Sequence, residues 1–421
     1  MKARQLWVGA VVLALVGGIC AALLMWHPAI VPAKPPQRFD SAQVQQGARV
    51  AEAGDCAVCH TRPGGQHLAG RLALVTPFGT LYSTNITPDA ETGIGQWSLP
   101  AFERAMREGI ARDGHLLYPA FPYVHYRRMT DGDIADVYAY LMSGPAVHSA
   151  AIQNRMKFPM NIRPLVSFWN LLFLQTEPLT PVAQQSATWN RGRYLVEGPG
   201  HCAGCHSPLN LLGAEKPAQH LAGGTVDGWE APSLLGMANR DFPWSSEQLV
   251  SYLRAEVVEG HGTAAGSMRP ISLSLANLPA SDAEAIAEYL LSLNNPASTL
   301  PASAITRPTE VVEQTPGALL FQGACAGCHG PAAPMREIDG RPSLDRTSAL
   351  HAASARNFLK TVLEGVPATP GLPGPVMPPF AASLDNEQLA ALASFVREQA
   401  KPGQPWADLS STLHELRQEA Q

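Results

Sequence analysis

The sequence predicts a mainly helical protein: three small tandem domains behind one N-terminal transmembrane helix. Three observations carry this expectation. An uncharged apolar stretch runs from Leu6 to Trp26. The pentapeptide Cys-x-x-Cys-His occurs three times, as Cys56-Ala-Val-Cys59-His60, Cys202-Ala-Gly-Cys205-His206 and Cys325-Ala-Gly-Cys328-His329. Each copy lies between the same two signals, a short glycine-containing helical pattern before it and an apolar helix roughly seventy residues after it.

The first element is the apolar stretch, residues 1–26. Lys2 and Arg4 precede it, and Trp7 and Trp26 stand about 28 Å apart along a helix at 1.5 Å per residue, close to one hydrocarbon thickness. Positive charge at the start and aromatics at both ends fit a spanning helix that begins in the cytoplasm. The stretch is longer than a secretory signal's apolar region, so an uncleaved anchor is expected, with cleavage after Val31-Pro32-Ala33 as the alternative. Ile19 before Cys20 is too bulky for a lipid-attachment site, which leaves Cys20 as a buried thiol of the helix. Pro28, Pro32, Pro35 and Pro36 then make residues 27–40 a stiff spacer.

The repeated pentapeptide is the attachment motif of c-type haem. Its two thiols add across the vinyl groups, and the following histidine reaches the iron as proximal ligand. Structural zinc, the competing use, needs Cys and His pairs that close a four-coordinate site; here each pair is distant from the next and brings its own histidine. The expectation is three covalently attached haem c groups, on Cys56 and Cys59, Cys202 and Cys205, and Cys325 and Cys328, with His60, His206 and His329 on the irons. Six of the seven cysteines are thereby used, so no disulfide forms within the chain. Only 15% of residues are charged and the net charge is −5, which excludes a disordered chain and a nucleic-acid binder. The 37 prolines and 36 glycines suit small domains with long loops around a cofactor.

The helices flanking each motif set the boundaries. Before it come Gln46-Gly47-Ala48-Arg49-Val50, Arg191-Gly192-Arg193-Tyr194-Leu195 and Pro316-Gly317-Ala318-Leu319-Leu320. After it come apolar helices over 134–141, 286–291 and 389–396, opened by Thr130-Asp131, Ser281-Asp282 and Asp385 as caps. The domains are expected at 41–150, 186–297 and 313–400, joined by a connector (151–185) and a linker (298–312), with a polar tail over 401–421. The connector contains the apolar run Phe168-Trp-Asn-Leu-Leu-Phe-Leu174, too short to cross a bilayer. It packs between domains, lies on the membrane surface or docks a partner.

A distal ligand belongs in the loop before each last helix. Met377, in Pro375-Val-Met-Pro-Pro379, and Met268, in Gly266-Ser-Met-Arg-Pro270, sit there beside prolines and glycines, poorly placed for ordinary core packing. Methionine opposite histidine raises a haem's potential, and a second histidine lowers it. Domain one has no methionine at the expected 116–122. His125 is the candidate ligand there, Met129 or an open, water-bound iron are the alternatives, and His115 is a further candidate.

This layout resembles class I cytochrome c, in which a first helix with a small residue crosses a last helix with an aromatic. More specific runs are Thr76-Pro-Phe-Gly-Thr-Leu-Tyr-Ser-Thr-Asn-Ile-Thr-Pro-Asp89, Arg112-Asp-Gly-His-Leu-Leu-Tyr-Pro-Ala120 and Trp189-Asn-Arg-Gly-Arg-Tyr-Leu-Val-Glu-Gly198. They are similar to the triheme cytochrome c subunit of bacterial membrane-bound dehydrogenases. That resemblance implies an electron-transfer subunit without catalysis of its own. It would lie on the periplasmic side of the inner membrane and relay electrons from a large catalytic subunit, with or without a small one, to ubiquinone or a terminal oxidase. The family serves quinoprotein, flavoprotein and molybdenum enzymes. Phe121 stands where the alcohol dehydrogenase branch has Met, and Phe121-Pro-Tyr-Val-His125 resembles subunits that accompany molybdenum aldehyde or N-heterocycle oxidoreductases. The competing reading is a peroxidase-type haem enzyme with an open iron in domain one, served by Arg112, His115 and His125. A redox or gas sensor would bring a signalling module, and no such segment is evident.

Overall fold

The computed structural model describes residues 2–34, 38–174, 179–239, 243–294, 314–330, 333, 344–368 and 376–419. The expected linker 298–312, together with Pro35, Pro36, Pro375 and the side chain of Cys20, lies outside these. Among the described residues the architecture is helical, with one small sheet of three strands and another of two. A 24-residue helix, Lys2–Met25, opens the chain. Its segment Gln5–Met25 has a mean hydropathy of 2.6, long and apolar enough to cross a membrane.

Each of the three regions is built on one crossing of two helices. The helix Ser41–Ala53, capped by the Asp40 carboxylate on the Ala42 and Gln43 amides, crosses Asp131–Ser143, which Thr130 caps. In the second region Ala187–Glu197 crosses Ala280–Ser292, and in the third Pro316–Leu320 crosses Asn386–Ala400. A glycine stands at every crossing. A Cβ on Gly47 would strike the Asp136 carbonyl and the Tyr140 Cβ; on Gly192, the Ala285 carbonyl and Tyr289; on Gly317, the Ala391 carbonyl and Phe395. The glycine lets the backbones touch, and the aromatic of the last helix packs beside the gap. Asp385 closes a reciprocal capping box with Gln388. Ser281-Asp282 does not cap its helix, which begins a residue earlier behind Pro279. Asp282 instead binds Arg191 through two hydrogen bonds of 2.8 and 3.0 Å and ties the two crossing helices together.

The sheets are hairpins placed after the first two haem motifs. Strands β1 (Ala73–Thr76) and β2 (Gly79–Tyr82) pair antiparallel, and β3 (Arg155–Met156) adds to the β2 edge. In the second region β4 (Gly224–Val226) and β5 (Trp229–Ala231) are joined by Asp227-Gly228, both at positive φ, as a two-residue hairpin turn demands.

The residues after Lys401 carry more structure than their polarity suggested. Leu409–Glu419 is a helix whose Leu413 and Leu416 are buried in the same core as Leu389, Leu392 and Val396. Arg417 donates to the Leu384 and Ala381 carbonyls, just past the Met377 segment. Leu413 has no exposed surface, so Leu413→Ala should cost about 2–5 kcal/mol, read as a lower denaturation midpoint of the third domain.

Candidate functional site

The three pentapeptides occupy equivalent places. Each follows the first helix of its region, and each runs as a single helical turn, Cys56–His60, Ala203–His206 and Ala326–His329. The chain enters the first two through a reversal. Gly54 closes onto the Val50 carbonyl and Gly200 onto the Leu195 carbonyl, and the next residues, Asp55 and His201, adopt left-handed φ of 51° and 35°. The third is reached differently, through a π-helical turn, Phe321–Cys325, that continues straight from the first helix.

The segment after the motif is built alike in the first two regions. The hydroxyls of Thr61 and Ser207, next after each histidine, accept from the Leu68 and Leu221 amides at 3.0 and 2.9 Å. Gly70 and Gly223 donate to the His60 and His206 carbonyls, both at 2.7 Å. The hairpins then turn the chain back so that the Thr84 carbonyl lies 2.6 Å from His60 Nδ1 and the Pro232 carbonyl 2.7 Å from His206 Nδ1. A carbonyl only accepts, so each Nδ1 carries the proton. That fixes the tautomer and places the lone pair on Nε2, the form in which imidazole binds a metal. Burial also lowers the His60 pKa, favouring the neutral ring, although the Thr84 carbonyl opposes the shift.

Two of the motif cysteines lie where burial favours the protonated thiol. Burial pushes the Cys56 thiol up to about 12, with the neighbouring charges of Asp55, Cys59 and Glu52 adding to it, and Cys325 is pushed up to about 11 for the same first cause. Among the described residues no three His, Cys, Asp or Glu side chains gather into a metal-holding group.

Residues 44–145 and 190–294 each match the cytochrome c family profile, and residues 312–396 match that of cbb3-type cytochrome c oxidase subunit III. The chain is 34% identical over 394 residues to the fructose dehydrogenase cytochrome subunit of Gluconobacter japonicus, covering 87% of this chain and 81% of that one. It is 35% identical over 391 residues to the gluconate 2-dehydrogenase cytochrome c subunit of Pantoea cypripedii, covering 85% and 86%. The chain belongs to the cytochrome c subunits of membrane-bound dehydrogenases. It is also 48% identical over 404 residues to a nicotinate dehydrogenase subunit of Pseudomonas putida; that match takes in 95% of this chain but 34% of the relative's length. This cytochrome c subunit is therefore an electron carrier of a dehydrogenase complex, and its cytochrome c domains imply covalent haem c at the Cys56/Cys59, Cys202/Cys205 and Cys325/Cys328 motifs.

The subunit places its distal candidates differently in each region. Met377 exchanges both backbone hydrogen bonds with Val366, at 2.8 and 3.0 Å, and packs on the same core cluster as Cys325. Met268 opens the helix Met268–Ala276 rather than lying in an irregular loop. Its approach is held by Gly266 against the Trp229 ring and by Ser267, which donates to Asp227 at 2.9 Å. Trp229 of the β4–β5 hairpin thus packs beside the Met268 segment, and Pro232, just past the hairpin, holds His206. In the first region an antiparallel backbone bridge joins Ile110 to Leu116, and in the second one joins Val258 to Gly262; neither includes a methionine. His125 lies on the turn Tyr123–Tyr126 and is buried, its ring 6.5 Å from that of His201. Met129 is buried in the core with Val50, Ile134 and Met142, as ordinary packing requires. His115 is half exposed and pairs with Asp113 at 2.6 Å.

Sequence reasoning missed three partners. The carbonyls of Thr84 and Pro232 carry no side-chain signature, although Asp227-Gly228 marks the hairpin that delivers the second. Tyr126 is the third. Its buried hydroxyl donates to the Gly54 carbonyl at 2.6 Å and braces the reversal into the first motif.

Proposed function

We propose that the chain carries three covalently attached haem c groups, with His60, His206 and His329 as proximal ligands and His125, Met268 and Met377 as distal ones. It relays electrons from the large catalytic subunit of a periplasmic dehydrogenase to ubiquinone or a terminal oxidase. Lys2–Met25 anchors it in the bacterial inner membrane, and the domains follow the boundaries 41–150, 186–297 and 313–400. The observation that carries this reading is the pair of motif histidines held through Nδ1 by loop carbonyls. When bound, each haem iron accepts and returns one electron. The protein orients the imidazoles, brings an apolar core against the Cys56 and Cys325 motifs, and differentiates the centres through their distal ligands. Histidine in the first region should give the lowest potential of the three.

For the donor, we favour a molybdenum-type N-heterocycle dehydrogenase. Phe121-Pro-Tyr-Val-His125 supports this branch, and so does the likeness to a nicotinate dehydrogenase subunit, nicotinate being an N-heterocycle. Two of the three polar groups of the peroxidase reading are engaged elsewhere: Arg112 donates to the Ile30 carbonyl at 3.2 Å, and His115 is paired with Asp113.

Mild detergent extraction from membranes tests the relay. A large subunit should co-purify, and nicotinate or a related heterocycle should reduce all three haems. If the chain purifies alone, no dehydrogenase substrate reduces it and peroxide turns over, the relay reading fails. His125→Ala should open one iron per chain to carbon monoxide in the reduced state, seen as a shifted Soret band. An unchanged spectrum would remove His125 as ligand.

A further inference from the structure

The connector offers an apolar face to the outside. In the helix Val166–Phe173, Val166 and Ser167 are buried, and Asn170 accepts from the Tyr123 hydroxyl at 2.6 Å. Phe168, Leu171 and Leu172, at spacings of three and four, stand on the opposite face, where a helix in water places polar residues. Leu171 is 70% exposed and Leu172 67%. Phe158 earlier in the connector is 80% exposed, and Leu211, beside the Leu212 carbonyl that binds Trp169 Nε1, is 96% exposed. Exposed apolar side chains at this density mark an interaction surface.

The anchor helix says which surface. The chain leaving it is pinned to one loop of domain one. Ile30 donates to the Arg112 carbonyl at 2.7 Å, Arg104 holds the Pro28 carbonyl at 2.7 Å, and the His27 carbonyl lies against Gly114. The connector is pinned to the continuation of the same loop. Arg163 donates to the Leu116 carbonyl at 2.9 Å and lies over the Tyr118 ring, whose hydroxyl donates to the Met160 carbonyl. Anchor and connector helices touch. Where the anchor leaves the bilayer, the connector's apolar face is therefore at hand. Its helix of 8 residues, about 12 Å long, is too short to span and suits lying in the interface.

We propose that this face, carried by Phe158, Phe168, Leu171, Leu172 and Leu211, rests in the headgroup region of the membrane that Lys2–Met25 crosses. It seats domain one, and with it the His60 site, on the bilayer surface. The proposal rests on the anchor reading above. The full-length protein, and separately its co-purified complex, would be placed in phosphatidylcholine vesicles containing a phosphatidylcholine with a photoactivatable acyl chain. Labelled peptides would then be mapped by mass spectrometry. Label should appear in Gln5–Met25 and also in residues 158–173 and 211–212, in both preparations. A Leu171→Asp/Leu172→Asp variant should lose connector label several-fold while the anchor label and the haem spectrum stay unchanged. Label confined to Gln5–Met25 overturns the proposal and leaves the anchor standing. No label in either segment removes the anchor reading, and the proposal with it. Connector label that vanishes in the complex assigns the face to a partner subunit instead.

Discussion

Gly47→Ala should destabilise the first domain by about 2–3 kcal/mol, although alanine is the better helix former by about 1 kcal/mol. The sign is set by the crossing. The new methyl would enter the Asp136 carbonyl and approach the Tyr140 Cβ at 2.9 Å. Both belong to the backbone or the first side-chain atom of a packed helix, so neither can swing aside. The crossing must open, and the contacts of Val50 with Ile134 and Val137 loosen with it. Gly192→Ala and Gly317→Ala should behave alike, because the Ala285 and Ala391 carbonyls stand in the same place. Gly132→Ala is the control. Its nearest atom is Thr130 Oγ1 at 3.8 Å, and it should be neutral or slightly stabilising, within about 1 kcal/mol. Denaturant titrations of the holoprotein would decide. Stabilisation at Gly47 would show that propensity outweighs the crossing.

Met377→His should lower the potential of one haem by on the order of a few hundred mV, within the ~0.8 V range that axial ligands command. The substitution leaves the local frame intact. Met377 is held by main-chain bonds to Val366, and Gly365, at φ 72°, packs under the Met377-Pro378-Pro379 backbone, so the segment keeps its course whatever side chain it carries. A potentiometric titration of the three centres should show one step displaced and two unmoved. The weak long-wavelength absorption band of methionine-ligated ferric haem should also diminish. If all three potentials stay in place, Met377 is not a ligand, and the third site takes its distal group from elsewhere.

Much of the fold was readable because its signals are local. Cys-x-x-Cys-His is one turn of chain, amphipathic helices announce themselves by period, and Asp385 marks its own cap. The failures came where a residue's role is set across space. Asp282 looked like a cap beside its helix and is instead the ion-pair partner of Arg191. Residues 401–421 read as a polar tail, yet Leu413 and Leu416 suffice to bury one face of the helix Leu409–Glu419. Met268 looked like a loop residue and opens a helix.

The amino-acid sequence by itself determined the number of attachment motifs, the anchor-like first helix, the glycine and aromatic pairs of the crossings, and the kinship of the whole. These depend on residue identity at fixed short spacings, which any sequence displays. Only the tertiary structure decided which carbonyls hold His60 and His206, because every residue has a carbonyl and nothing in its side chain says where it will point. The same arrangement buries His125 and Met129, leaves His115 to Asp113, and turns the leucines of the connector outward. Burial and direction come from the packing of distant segments, and a linear pattern does not carry them.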